Sequence, residues 1–288
     1  MDKLKYKYKY FWLIVSKWPY FHFLLRNHYP MLNIGLTLEY KQRLIISAVR
    51  GASFIYILSK SVSTEFDAQI ALNTGILSAL FDDLIDKEFE NFETIQQLIT
   101  EPEKTNVDSQ QGKMAKVLFS DLLMKLNDWQ KKQLRGVLEN LLEIEKVVKI
   151  KRNGEWKRRG MYAFLIYLTI VRIPLCEVNQ KIALMFGEYL QLLDDYEDYH
   201  IDDPLDNFFK IQPEFDLTAH YINEIKPILA SIFFFKFNHK FFCEFVETYH
   251  VFQTRTFKYN HQDDIDFDLK KRKLVKYMVR KFNGNIPF

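Results

Sequence analysis

The chain has 288 residues, with 40 Lys and Arg against 37 Asp and Glu, a net charge of +3; 48% of it is hydrophobic and 27% charged. That balance excludes a disordered polyelectrolyte and gives no reason to expect a nucleic-acid partner. Nine Gly and eight Pro leave little turn chemistry for many short strands, and two cysteines without CxxC spacing, Cys176 and Cys243, build neither a disulfide framework nor a zinc knuckle, so a reducing, cytoplasmic setting is expected.

Residues 1–30 read as a basic-aromatic segment. Lys and Tyr alternate from Lys3 to Tyr10, and an apolar run follows to Lys17 with no small-residue cleavage site behind it, so no signal peptide is expected. The alternation suits a frayed terminus, an edge strand or peripheral contact with a membrane surface. From residue 31 to 288 we read one domain. Apolar periodicity predicts helices at about 36–62, 65–89, 110–126, 128–150, 160–177, 181–200, 217–237, 239–258 and 266–282, with another near 10–27. Breaks fall where the chemistry allows them, at Pro102, at Asn153-Gly154 and between Pro204 and Pro213. The longest apolar runs, Met161–Val171 and the stretch around Ile228–Phe235, are shorter than the ~18 residues of a spanning helix. No repeat or composition shift marks a second domain, so the expectation is a single all-α bundle.

Two of these helices end in the same pattern. ALFDDLIDKEFE holds Asp82, Asp83 and Asp86, and LLDDYEDYHID holds Asp194, Asp195 and Asp198. Both are DDxxD, and both directly follow apolar runs. The stretch from Gly187 to Asp203 gathers seven carboxylates without a Lys or Arg among them. A solvated helix end is the ordinary explanation of one acidic run, but acid at a helix C-terminus opposes the macrodipole. Side chains three and four apart share a face, so Asp82 and Asp86 project together with Asp83 beside them, and Gly187, Gln191, Asp194 with Asp195, and Asp198 form a second stripe. Facing clusters of this kind suit a hard divalent ion, and Mg2+ best, because it keeps its waters and accepts phosphate oxygens.

GEYLQLLDDYED resembles the second aspartate-rich motif of trans-prenyl diphosphate synthases, with Leu190 where Phe is usual, and the paired motifs on an all-α chain resemble the class I isoprenoid synthase superfamily. The resemblance covers about residues 185–203 and 75–90. It implies a helical barrel around a central apolar cavity, three Mg2+ ions with bound diphosphate, a prenyl diphosphate substrate, and Asp82, Asp86, Asp194 and Asp198 as metal ligands, with Asp83 and Asp195 beside them. Homodimers are compatible with it. Departures shape the reading. The chain-elongating enzymes follow their first motif with an arginine pair, whereas Lys87-Glu88-Phe89-Glu90 stands here; their Gly-Lys-Arg-x-Arg-Pro stretch has only Tyr40-Lys41-Gln42-Arg43 as a counterpart. Keeping the metal motifs without a second diphosphate site points to a divergent terpene synthase that cyclises or eliminates. Chain elongation, or an inactive partner subunit of an elongating enzyme, is the alternative.

Diphosphate also needs cations. KRRGMYAF resembles the surroundings of the family's Lys-Thr pair, which makes Arg158 and Arg159 candidate ligands, since arginine forks match phosphate oxygens. Lys276-Tyr277 stands where terpene synthases often carry an Arg-Tyr pair. Phe81, Tyr162, Phe164 and Tyr167 are candidate aromatic walls for a carbocation. Gln191 lies on the second stripe. Ser78, with Thr74 and Gly75, is small, so an open floor is expected below the first motif and with it a substrate of fifteen carbons or more, geranylgeranyl diphosphate leading. A di-iron rival rests on two ExxH patterns, Glu197 to His200 and Glu247 to His250.

Overall fold

The computed structural model describes residues 19–33, 35–87, 89–151, 156–197 and 207–231, together with residues 17, 199, 243, 246, 247 and 250. Every regular element among them is helical and none is a strand. A helix at residues 19–28 (α1) and a 3-10 turn at Pro30–Asn33 lead into α2 (Leu38–Val62) and α3 (Ala68–Asp86). Then come α4 (Phe92–Thr100), α5 (Gln110–Lys125), α6 (Asp128–Lys151), α7 (Trp156–Ile170) and α8 (Glu177–Glu197). After the single turn α9 (Phe208–Ile211), α10 (Leu217–His220) passes through a π turn at Tyr221–Ile225 into α11 (Lys226–Ser231).

Side-chain caps start the helices where the sequence provides oxygen acceptors for free backbone N–H groups. Thr37 accepts from Tyr40 N, Asp67 from Gln69 N and Ile70 N, Asn91 from Thr94 N and Ser109 from Gly112 N. Two helices end in left-handed residues. Ser63 (φ 57°) closes α2 with Thr64 N donating to Ser59 O, and Arg172 (φ 65°) closes α7 with Ile173 N donating to Leu168 O. Pro174 stands directly behind the second of these and keeps Ile173 out of helical geometry. The helix expected at 160–177 therefore runs from Trp156 to Ile170, because periodicity alone carried it across Pro174. The expected pattern also lacks α4, whose Asn91 cap and buried Ile95, Leu98 and Ile99 fall between the helices expected at 65–89 and 110–126. The helices expected at 239–258 and 266–282 lie mostly or wholly outside the described residues.

Packing falls into two sets. α3 lies between α2 and α5, α7 lies between α6 and α8, and α2 also touches α7. Each set contains one very close crossing. A Cβ at Gly75 would stand 2.6 Å from Ser47 O of α2, and one at Gly51 2.6 Å from the Gly75 Cα. A Cβ at Gly160 would stand 2.0 Å from Gly187 O, and one at Gly187 2.4 Å from Gly160 O. Backbone meets backbone at both places, so only glycine fits. By length and composition α2 could cross a membrane, but most of it is buried within the protein, with Leu44, Ala48, Ala52, Ile55 and Leu58 in the core. Phe21, Leu24, Leu25 and Tyr29 join the same core, which thus draws on the 1–30 segment. A polar chain that starts buried and ends at the surface fixes α3 to α5: the Tyr29 hydroxyl donates to Asn73 Oδ1, Asn73 Nδ2 donates to Asp121 Oδ2 at 2.6 Å, and the exposed Lys125 pairs with Asp121 at 3.0 Å.

Candidate functional site

From Ala71 to Ile85 α3 is buried on nearly every side. The exceptions are Ser78 and Asp82, both exposed, and Asp86, one turn on, is exposed too. Spacings of four put these three on one stripe, so a helix otherwise enclosed by protein opens a single polar line to water. Phe81 lies off that line, buried edge-on against Phe119 of α5 at 5.9 Å between ring centroids. Thr74 is buried and donates its hydroxyl to Ile70 O, while Gly75 is filled by α2. Ser78 is therefore the small residue of the expected floor that faces water.

Asp82 is accessible, at 56% of its side-chain surface, yet its carboxyl is pushed up to about 6. Crowding by protein is the main cause, followed by the charge of Asp86; Arg43 partly offsets them, and Asp83 and Glu145 add to the rise. Asp83 differs: 1% exposed, it is held by Arg43 Nη1 and by Lys87 Nζ at 2.7 Å. The other nitrogen of Arg43 donates to Asp82 Oδ2 at 2.8 Å, so one guanidinium spans both aspartates. Tyr40, one turn before Arg43 on α2, has its phenol raised by burial and then by Asp83.

α7 runs alongside this line. Arg159 pairs with Glu145 of α6 at 2.5 Å. Burial works against the Arg159 charge, but Glu145, then Asp86 and Asp82, more than restore it, so its pKa lies above the ordinary arginine value. Arg158 beside it is exposed. Two turns further on, the Tyr167 phenol is raised by burial; a hydrogen bond with Ser78 of α3 works in the opposite sense, and the charge of Asp194 on α8 adds to the rise. Tyr167 packs edge-on against Phe54 at 5.0 Å, and Phe54 also meets Phe164 at 6.2 Å. One face of α7 thus links the stripe on α3 to the second motif.

In that second motif Asp194 is exposed and Asp195 is 4% exposed. Asp195 accepts from Gln191 Nε2 at 2.9 Å and from Phe208 N at 2.9 Å, and Asn207 Nδ2 donates to its backbone carbonyl at 2.6 Å. Gln191 thus serves Asp195, and Asp195 anchors the start of α9. Asp198, Lys276, Tyr277 and His200 lie outside the described residues. Of the second ExxH pattern, Glu247 pairs with Lys226 at 3.2 Å, and His250 Nδ1 shares a hydrogen bond with Tyr189 at 2.6 Å while its ring stacks on Tyr221.

Among the described residues no three or more His, Cys, Asp or Glu side chains are gathered closely enough to hold an ion. The donors at hand are the accessible carboxylates Asp82, Asp86 and Asp194. Arg43 and Glu145 were missed as participants. Arg43 was legible only as a poor match to a basic motif, and Glu145 carried no signal beyond a polar helix position. A separate groove of about 620 Å³, lined by Tyr29, Gln69, Lys116, Val117, Asp121 and Lys125, opens beside α3 and α5. No protein-family model matches the chain, and no curated protein or solved structure is detectably similar to it.

Proposed function

We propose that the chain is a Mg2+-dependent class I terpene synthase that binds a prenyl diphosphate and releases diphosphate by cyclisation or elimination. The observation that carries the reading is the shared layout of the two DDxxD motifs, each with its first aspartate open to water and its second buried and tied, on helices linked by the Arg159–Tyr167 face of α7. Asp82, Asp86, Asp194 and Asp198 would hold Mg2+, which when bound withdraws charge from the leaving diphosphate. Arg159, oriented by Glu145, offers its fork to phosphate oxygens. The hydrocarbon chain would lie against the aromatic cluster of Phe54, Phe164 and Tyr167, whose rings would steady positive charge and keep water away. With Ser78 as the open floor, the expected substrate has fifteen carbons or more, geranylgeranyl diphosphate leading, and Ser78→Phe should shift preference to shorter chains.

The test is incubation with prenyl diphosphates of graded length and Mg2+, with and without isopentenyl diphosphate, read by gas chromatography. Hydrocarbon or alcohol products without isopentenyl diphosphate, lost in Asp82→Asn and Asp194→Asn, support the reading. Longer diphosphates formed only with isopentenyl diphosphate would replace it with chain elongation. No product under either condition would sink it.

A further inference from the structure

The charge of the chain is unevenly placed. From Lys3 to Leu38 the sequence holds six Lys and Arg and neither Asp nor Glu, which leaves the other residues with a net charge of −3 against +3 for the whole. Within this stretch α1 shows a matching surface. Its inner face, Phe21, Leu24 and Leu25, is in the core. On its outer face Tyr20 is 50% and Phe23 60% exposed, and the exposed Arg26 and Asn27 continue the same arc one turn on. Phe23 has no ring contact and Arg26 no ion pair among the described residues. Two residues before α1, the Lys17 ammonium stands 5.5 Å over the Tyr56 ring, and Lys60, exposed in the last turn of α2, stands 5.6 Å over the same ring. Two cations thus share one aromatic support a turn before Tyr20. The α2–α3 turn contributes Glu65 and Asp67, of which Asp67 is engaged as the cap of α3, so cations outnumber acids along this edge.

We propose that the outer face of α1 docks the protein on the surface of an anionic phospholipid bilayer. Rings at the headgroup level with Lys and Arg beside them are the chemistry that an interface between water and acyl chains recognises. The sequence just before α1 continues that chemistry: Lys and Tyr alternate from Lys3 to Tyr10, and the run Phe11-Trp12-Leu13-Ile14-Val15 follows. Aliphatic side chains between the cations favour a bilayer over a nucleic acid, which offers phosphate and base faces but no acyl layer. The contact is peripheral, because the inner face of α1 belongs to the core and only Tyr20 and Phe23 are left to enter the lipid. The net negative remainder of the chain is repelled by the same surface, so charge orients the protein with α1 toward the lipid. The proposal does not rest on the prenyl diphosphate reading.

The test is co-sedimentation of the full chain with vesicles of phosphatidylcholine, with and without phosphatidylserine, in the absence of metal and substrate. The chain should sediment with the phosphatidylserine vesicles, and less as salt rises. Replacing both rings, Tyr20→Ser with Phe23→Ser, should weaken partition about tenfold. Arg26→Gln should weaken it about fivefold on phosphatidylserine vesicles and leave phosphatidylcholine vesicles unaffected. Met124→Ser removes an apolar side chain that is more exposed still, but from α5, and should leave partition unchanged. All three sites are exposed, and Tm measured alongside shows that each variant is folded. No sedimentation of the wild type with phosphatidylserine vesicles overturns the proposal, as does a folded Tyr20→Ser, Phe23→Ser variant that binds like the wild type, or an equal loss in Met124→Ser. Binding of a single-stranded oligonucleotide without binding to vesicles would assign the basic stretch to nucleic acid and overturn it too.

Discussion

The two acidic motifs divide their carboxylates alike but secure them by different forces. At the end of α3 the enclosed Asp83 is balanced by full charges from Arg43 and Lys87, each partly exposed. At the end of α8 the enclosed Asp195 accepts from neutral donors, the Gln191 amide and the Phe208 N–H, which are buried or nearly so. Below the second motif, Tyr189, Tyr221 and His250 continue that neutral packing. Charged pairs near water are screened by salt, whereas buried neutral hydrogen bonds are not. The first motif should therefore respond to ionic strength and to bound cations, while the second behaves as a rigid part of the frame.

The largest expected effect is on the frame shared by α7 and α8. Gly160→Ala places a methyl 2.0 Å from Gly187 O, and neither backbone can yield cheaply. A loss of ~3 kcal/mol or more is expected, read as a fall in Tm. Gly136→Ala, in α6, meets nothing within 4 Å and should instead stabilise by up to ~1 kcal/mol. If both alanines behave alike, the crossing is not close-packed.

Next comes pH. Burial brings the His250 imidazole down to about 4, with Glu247 opposing only in part. The unfolded chain binds that proton near pH 6.5 and the folded one does not until about 4, so stability held above pH 6.5 is lost as pH falls through that window. The loss is on the order of 3 kcal/mol for this group. His250→Phe should flatten the acid limb of Tm against pH. An unchanged limb would remove His250 from the second motif's support.

Salt separates the motifs directly. Asp195→Asn keeps one acceptor oxygen but turns its NH2 toward the other of the two donors, and should cost ~2 kcal/mol with less salt dependence than the first motif shows. Asp83→Asn should cost ~1 kcal/mol at low salt, discounted because its partners are well exposed, and less as salt rises toward about half-molar. Equal salt dependence in the two variants would erase the distinction. The smallest effect on folding belongs to the accessible pair: Asp82→Asn and Asp194→Asn should leave Tm within about a degree or two, while removing Mg2+-dependent pyrophosphate binding. Loss of Tm without loss of that binding would make these residues structural, like the aspartates beside them.

The two stripes were legible because helical spacing alone sets which residues share a face, and α3 and α8 were recognisable by apolar period. Gly75 was legible as a small residue of an open floor, whereas in the fold it is a tight helix contact, as are Gly160 and Gly187. Phe81 was read from its place beside the motif and is held by Phe119 from α5, a helix 38 residues along the chain.

What the sequence determined by itself is local: where helices start, through Thr37, Asp67, Asn91 and Ser109, where Pro174 stops one, and which aspartates lie four apart. Those follow from backbone geometry and hydrogen bonds between near neighbours. Which member of each Asp-Asp pair faces water was decided only by tertiary structure, because adjacent helical residues differ by ~100° and the sequence does not say which direction is inside. Arg43 reached Asp83 across 40 residues, and Glu145 reached Arg159 across 14, because packing of α2 on α3 and α6 on α7 brought their long side chains together. Neither partner has any periodic relation to the other, so their meeting could be found only once the helices were placed.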